Sequence, residues 1–547
     1  MRAQLCLHRH IRVMAIGILE DKYLENVPGT ALLSELGVVN ALPTNIKDAS
    51  TLKRGTGRHS HIYLIPQPSD DPNDPLNWPR WKKEACFWTL AFAATLDGAL
   101  SPMVGPGYVL LSKQFGVSVD EVASSFGSVL LGLGCFMLLQ NTLATKFGHR
   151  IVYLGSVSMM FIACIWSAVS PNMASIKASR AFQGFGMSAL QSLVASTIEQ
   201  IYFVHERGSR SVIWSFCIMA GITLGPLLYS YVIQNLSWQM GFWFVIIPLG
   251  LSIIMVFFLV PETTYKRAEN NVSSESSSKG STVEDNKSTA SEAGSGIPLK
   301  SYRSQLAIYN GTFTNASIFS VFLRPFPFLL SPVTWFIFAC HGMQTVWLSL
   351  MPICSSTIFT IEYNFDATQI GLTNLGGIVG IVLATCITGP LTDWGTVWLS
   401  RRNKGIFEPE FRILFVATML FGVFGYAGWA IGTTRNMPWI GAVACIAMAN
   451  FSMVVSGAAA VTYLLDTHRE NALHILALSN FGKNMVLYGF TFFANGMIAS
   501  RGVRVSLLIL AGCQCACWLA SIPMYIYGKR VRSFIARHPN LFTVGKE

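Results

Sequence analysis

The sequence predicts an all-α membrane protein with twelve transmembrane helices in two six-helix halves. Three observations predict it. Of the 547 residues, 52% are hydrophobic and only 12% are charged, about half the charged share of a soluble domain. The hydrophobic residues gather into twelve long runs, each near the ~20 residues that cross a ~30 Å hydrocarbon core at 1.5 Å per residue. One long polar stretch divides those runs into six and six. A single soluble core is excluded, because too little polar surface exists to cover it.

Residues 1–84 are polar and read as a cytoplasmic arm, largely disordered, with Met14 as an alternative start and no signal-peptide pattern after Met1. Trp78 and Trp81, followed by Lys82 and Lys83, suit an anchor at the membrane surface. The first half, 85–260, holds runs at 85–110, 122–145, 150–169, 174–202, 210–234 and 238–260. A cytoplasmic central loop, 261–331, follows. Its stretch 268–300 is rich in Ser, Glu, Lys and Gly and is expected to stay disordered, with phosphorylation open. The second half, 332–528, holds runs at 332–358, 368–392, 411–433, 438–464, 471–499 and 504–528, and a basic tail occupies 529–547.

The net charge of +11 comes from basic residues at helix ends rather than in a stripe, so it reads as topology and not as nucleic-acid binding. With a cytoplasmic N-terminus, the inner loops hold Lys146, Arg150, Arg207, Arg210, Arg401, Arg402, Lys404, Arg412 and Arg469. The outer loops hold only Lys113, Arg435, Arg501 and Arg504, which places both termini in the cytoplasm. Most of the twelve cysteines lie in apolar runs, where Cys acts as a small hydrophobe. No disulfide framework, metal site or cofactor is expected.

Charge at membrane depth is costly, so it marks function. Asp97, near the middle of the first run, is a candidate proton carrier, with a helix–helix hydrogen bond as the other reading. Arg180 in the fourth run is either part of a polar pathway or a side chain bonded to neighbouring backbone carbonyls. Glu199, near the inner end of that run, completes the proton-coupling candidates. Lys483 in the eleventh run needs a partner, either Asp97, Glu199 or an anionic substrate. Gln183, His341, Gln344, Trp347, Asn374 and Asn450, with Lys483, are the candidates for lining a substrate cavity.

Several motifs then resemble the major facilitator superfamily, in particular its fungal drug:proton antiporter branch. Thr145-Lys146-Phe147-Gly148-His149-Arg150 is similar to the loop after the second span, with Thr145 where that motif carries Asp and Asn141 where it carries Gly. Gly389-Pro390-Leu391-Thr392-Asp393-Trp394 is its counterpart in the second half, making Asp393, Arg401 and Arg402 gating-loop candidates. The run from Arg401 to Arg412 resembles a fungal signature, and Arg180-x-x-Gln183-Gly184 resembles a fourth-span element tied to proton coupling. Asp70–Pro79, Phe203–Gly208 and Pro261-Glu262-Thr263-Thr264-Tyr265 resemble the same group, whereas Gly225-Pro226 lacks the glycine pair that usually ends the fifth-span motif.

The resemblance implies two pseudo-symmetric halves around a midplane cavity with alternating access. It implies a multi-pass plasma-membrane protein, a monomer, with a small-molecule substrate, protons and the lipid bilayer as partners and no nucleic acid. The activity implied is proton-coupled efflux of a small organic molecule, with uptake of polyamines or other organic cations as the alternative. A non-transporting receptor is disfavoured by the intramembrane charges. An enzyme is disfavoured by the lack of paired carboxylates or a nucleophile–base pair within a run. No Gly-x4-Gly-Lys-Ser/Thr loop points to direct ATP drive.

Overall fold

Twelve rods of membrane length run back and forth through the bundle in a computed structural model that describes residues 17–21, 23–24, 27–32, 68–69, 71–265, 301–468 and 471–542. They are α1 (Arg80–Phe115), α2 (Val119–Phe147), α3 (His149–Ala168), α4 (Met173–Ile201), α5 (Val204–Asn235) and α6 (Trp238–Leu259). The second set is α7 (Pro332–Tyr363), α8 (Ala367–Arg402), α9 (Pro409–Thr433), α10 (Trp439–His468), α11 (Ala472–Phe490) and α12 (Val503–Arg537). Among the described residues, ten of these are long and apolar enough to cross a membrane. The other two, α4 and α11, carry Arg180 and Lys483.

Local chemistry sets the ends. Ser118 accepts from the Glu121 N–H to open α2, Asn172 does the same for α4, and Asp366 and Gln369 form a reciprocal capping box on α8. Gly148, at φ +93°, makes the tight reversal from α2 into α3.

Three runs depart from their expected extents. Helix α1 reaches Phe115 by way of a turn at residues 101–107. Helix α11 breaks at residues 491–493 and resumes as Ala494–Arg501. Helix α8 does not stop at residue 392: its turns continue to Arg402, with the hydroxyls of Thr392, Thr396 and Ser400 donating back to carbonyls one turn earlier. It ends only where Lys404 and Gly405 take positive φ. Asp393, Arg401 and Arg402 therefore lie on a helix rather than in a gating loop.

The halves repeat one packing order. Helices pair α1 with α5, α2 with α4 and α3 with α6, and in the second half α7 with α11, α8 with α10 and α9 with α12. Advancing each label by six turns the first set into the second. Gly132 lies so close to the Ala181 carbonyl of α4, and Gly184 to the Val129 carbonyl of α2, that a methyl group at either glycine would sit 2.0 Å from that oxygen. Between the halves, α5 packs on α8 and α2 on α11, again a pair related by the same exchange.

The first and last described segments meet on one face, here the terminal face, where the Leu19 N–H donates to the Ile526 carbonyl at 3.0 Å and Ser533 donates to Asp21. The contacts between halves run from the opposite, far face to mid-depth. At the far face the Asp120 carboxylate accepts from the N–H groups of Asn495 and Gly496 at 2.8 and 2.7 Å, an anion at a helix N-terminus. Deeper, Gly127 lies against Thr491 and Tyr488, and Gly134 against Met485 and Asn484.

Two polar staples hold the terminal face. In the first half, Glu262 accepts from the His149 and Arg150 N–H groups at the start of α3 (3.0 and 3.2 Å). The Arg150 guanidinium donates to the carbonyls of Phe257, Val260, Leu306 and Ala307. Two sequence motifs about 110 residues apart thus close on each other. In the second half, Arg532 donates to both Glu408 and Glu410 (3.0 and 2.7 Å), and Lys529 reaches Glu408 at 2.7 Å.

The arm expected to be largely disordered contributes described residues to this second staple. Arg532 also donates to the Pro28 carbonyl, and β1 (Ala31–Leu32) pairs antiparallel with β2 (Ile406–Phe407). Nearer α1, Asp74 caps a short turn by accepting from the Leu76 N–H, and Asp71 accepts from Tyr265. The Asn73 amide N–H beside Asp71 holds its carboxyl below the usual range. The serine-rich stretch 268–300, Met14, Asp70 and Arg469 lie outside the described residues.

Candidate functional site

The deepest charged groups of the first half sit on α1 and α4. Asp97 is fully buried, and neither carboxylate oxygen accepts a well-formed hydrogen bond. Gln191 of α4 is the polar side chain that faces it. Its neighbour Gly98 lies against the Ile218 carbonyl of α5, so α1 and α5 pack backbone to backbone at this level.

Arg180, also fully buried, does not pair with Asp97. Its Nη1 donates to the Leu100 carbonyl (2.9 Å) and Gln183 Oε1 (2.7 Å), and its Nη2 donates to the Ser101 carbonyl (2.8 Å). The guanidinium thus caps the carbonyls one turn beyond Asp97, where α1 leaves regular helix, and stacks toward the Phe242 ring at 5.8 Å. Of the two readings of Arg180, the backbone-bonded one describes its contacts. Gln183 is consumed as its partner.

Glu199 is exposed near the end of α4, where Arg207 donates to its backbone carbonyl at 2.7 Å. It is not part of the buried cluster. Lys483 pairs with neither Asp97 nor Glu199, and makes no ion pair among the described residues. It stands beside His341, whose own position follows from a π-helical turn at Phe338–Met343.

Gln344 is buried and locked, donating to Ser452 at 2.9 Å and accepting from Ser456 at 2.5 Å, so it ties α7 to α10 rather than facing cargo. In the first half Gln140 ties α2 to α4 through the Phe185 carbonyl and Ser188. Trp347 packs edge-on against Phe490 (centroids 5.4 Å) and lines a small apolar cavity with Leu510 and Cys513.

Asn374 and Asn450 do come together. They line a cavity of about 90 Å³ between the halves, whose other walls include Met219 and Thr223 of α5, Thr345 and Met351 of α7, and Met453 of α10. Sequence reasoning missed Met219, Thr223 and Met351, because uncharged residues on a spanning helix carry no signal of which face looks inward. It also missed Glu408, Glu410, Lys529 and Arg532, whose density of charge beside a motif was the available sign. Asp393, Arg401 and Arg402 are exposed on the last turns of α8, with the Arg402 guanidinium 3.8 Å over the Trp398 ring.

Two repeated halves that cross the membrane in the same sense, with a small cavity at their contact and buried charge near it, are the layout of a secondary transporter. Residues 87–486 match the Major Facilitator Superfamily profile. The chain is 26% identical to Protein HOL1 of Saccharomyces cerevisiae, over 94% of this chain and 98% of that protein. It is 24% identical to the MFS-type transporter penM of Penicillium rubens, over 85% of this chain and 88% of that one. It is 28% identical to the MFS antiporter QDR3 of Candida albicans, over 39% of this chain and 30% of that one. Its fold resembles the solved D-xylose–proton symporter with a TM-score of 0.57 at 14% identity, covering 82% of this chain and 99% of the other. The chain is a transporter and a multi-pass membrane protein, not an enzyme, and it belongs to the major facilitator superfamily.

Proposed function

We propose that this protein exports a small organic molecule across the plasma membrane in exchange for protons, acting as a monomer and in the manner of the fungal drug:proton antiporters. Asp97 is the proton carrier. The observation that carries the reading is a carboxyl group with no exposure and, among the described residues, no counter-ion, faced by the neutral Gln191 side chain and one turn from a guanidinium that holds the neighbouring backbone. Such a group changes its charge when its surroundings change, and rocking of the halves about the α5–α8 and α2–α11 contacts changes them. The terminal face is cytoplasmic in this reading, so contacts at the far face and mid-depth describe a gate closed to the outside.

The test is proton movement into vesicles holding the purified protein under an imposed pH gradient, together with accumulation of candidate cargo in overexpressing cells. Proton flux stimulated by cargo, with lowered accumulation, supports export. Raised accumulation supports the second reading, uptake of organic cations, which the uncompensated Asp97 carboxyl also suits. No cargo-stimulated proton flux at all sinks the coupling.

The Asp120 latch gives an independent prediction. Its carboxylate makes two charge-assisted bonds across the halves, each of a kind that contributes about 1.5–3 kcal/mol. Asp120→Ala is expected to favour opening at the far face about tenfold or more. Labelling of a cysteine placed at Asn495 from the outside measures it, and unchanged labelling would discard the latch.

A further inference from the structure

We infer that Lys483, His341 and Ser479 form an anion-recognition site that takes the carboxylate of an amphipathic organic cargo. The inference rests on the transporter reading and names its substrate class.

Three observations converge in the second half. Lys483 is a part-buried ammonium in the interior of α11 with no acidic partner among the described residues. A cation at membrane depth is retained when something compensates it. His341 lies beside it on the π-helical turn of α7, with Nδ1 buried and unpartnered. Ser479, one turn before Lys483 and 1% exposed, has a buried hydroxyl with no partner.

The backbone places these groups side by side. Gly342, next to His341, leaves room for both: a methyl group there would sit 3.1 Å from Ser479 Oγ and 3.6 Å from Lys483 Cβ. Gly457 of α10 leaves the matching gap behind His341, with Nδ1 3.2 Å from where its methyl would be. Ammonium, hydroxyl and imidazole can all donate, and of the three the lysine is the group that ordinarily carries a positive charge. Their common complement is an anion with two acceptor oxygens.

The apolar side of the site is Phe338, whose ring lies 2.8 Å from a methyl position at Gly482 and covers the same stretch of α11. An aromatic or aliphatic body on that ring and a carboxylate on Lys483 describe one ligand. A cationic cargo meets an ammonium instead, and a neutral one leaves it uncompensated.

The experiment measures thermal stability of the full-length purified protein titrated with benzoate, benzamide, benzylamine and chloride. Benzoate is expected to stabilise the protein while benzamide and benzylamine do not. K483Q is expected to weaken benzoate binding about tenfold or more, the loss of one charge-assisted contact, and K483R to retain it. S479A, a milder change, is expected to weaken benzoate severalfold with the ligand-free stability unchanged, and it decides the matter if K483Q does not fold.

Equal response to benzoate and benzamide, stronger response to benzylamine, or full benzoate binding in both K483Q and S479A overturns the site. Chloride matching benzoate shows an inorganic-anion site and overturns the organic cargo. A protein that binds benzoate through Lys483 but moves no protons sinks the coupling reading and leaves the site standing. One that couples protons yet ignores benzoate does the reverse.

Discussion

Asp97→Asn is expected to abolish cargo-stimulated proton flux in reconstituted vesicles while leaving the protein folded and its melting temperature unchanged or raised. The amide has the shape of the protonated acid and cannot release a proton. Asp97 is 0% exposed and has no charged partner among the described residues, with the neutral Gln191 facing it, so its negative charge is not supporting the fold. An amide of the same shape keeps its place beside Gln191 and removes a group whose charged form carries a desolvation penalty. The combination of lost flux and kept stability is what separates a proton carrier from a structural carboxyl. Full flux in the asparagine variant would remove Asp97 from the mechanism. A fall in stability of several degrees would return it to the alternative reading, a helix–helix hydrogen bond.

Arg180 gives the contrast that makes the Asp97 result interpretable. It makes three bonds, to Leu100, Ser101 and Gln183, and all of them go unmet on truncation. Its loss therefore perturbs both stability and transport, whereas the loss at Asp97 is confined to transport.

The second large effect is at the terminal face. Arg532→Ala is expected to destabilise the protein by about 3–5 kcal/mol, the loss typical of a buried ion cluster deprived of one sign. Arg532, Glu408 and Glu410 are each no more than 1% exposed. Removing the guanidinium leaves Glu410 without its ion pair and Glu408 with Lys529 and the Thr30 hydroxyl. It also frees the Pro28 carbonyl, so residues 27–32 are expected to become protease-sensitive in the same variant.

Replacing Glu408 and Glu410 by glutamine together with Arg532→Met and Lys529→Met is expected to recover most of the stability, because neutral groups carry no charge to compensate. Denaturation midpoints across that set check the claim. A single-variant loss below about 1 kcal/mol would place the cluster with surface ion pairs.

Much of the architecture was legible from composition and run length. Twelve rods, six and six, follow from the bilayer's demand that each crossing satisfy its own backbone within one helix. Extents were legible only approximately. The continuation of α8 to Arg402 is carried by Thr and Ser hydroxyls bonding within the helix, which composition alone reads as a polar loop. The candidate site was half legible. Asp97, Arg180, His341 and Lys483 stood out because charge at depth is rare. Asn374 and Asn450 both line the small cavity between the halves, while Gln183 and Gln344 are taken up by Arg180, Ser452 and Ser456.

The amino-acid sequence by itself determined that this chain lives in a bilayer, how often it crosses, and which ionisable groups are buried in doing so. Those properties depend on one residue after another along the chain, and the transfer cost of each side chain is nearly independent of its neighbours. Only the tertiary structure decided which buried charges are compensated. Whether Arg180 meets Asp97 or the Leu100 carbonyl, and whether Lys483 meets an acid or none, depends on the rotation of whole helices about their axes. That rotation is set by the summed packing of glycines such as Gly98, Gly184 and Gly342 against partners far away in the chain, and no local pattern encodes it.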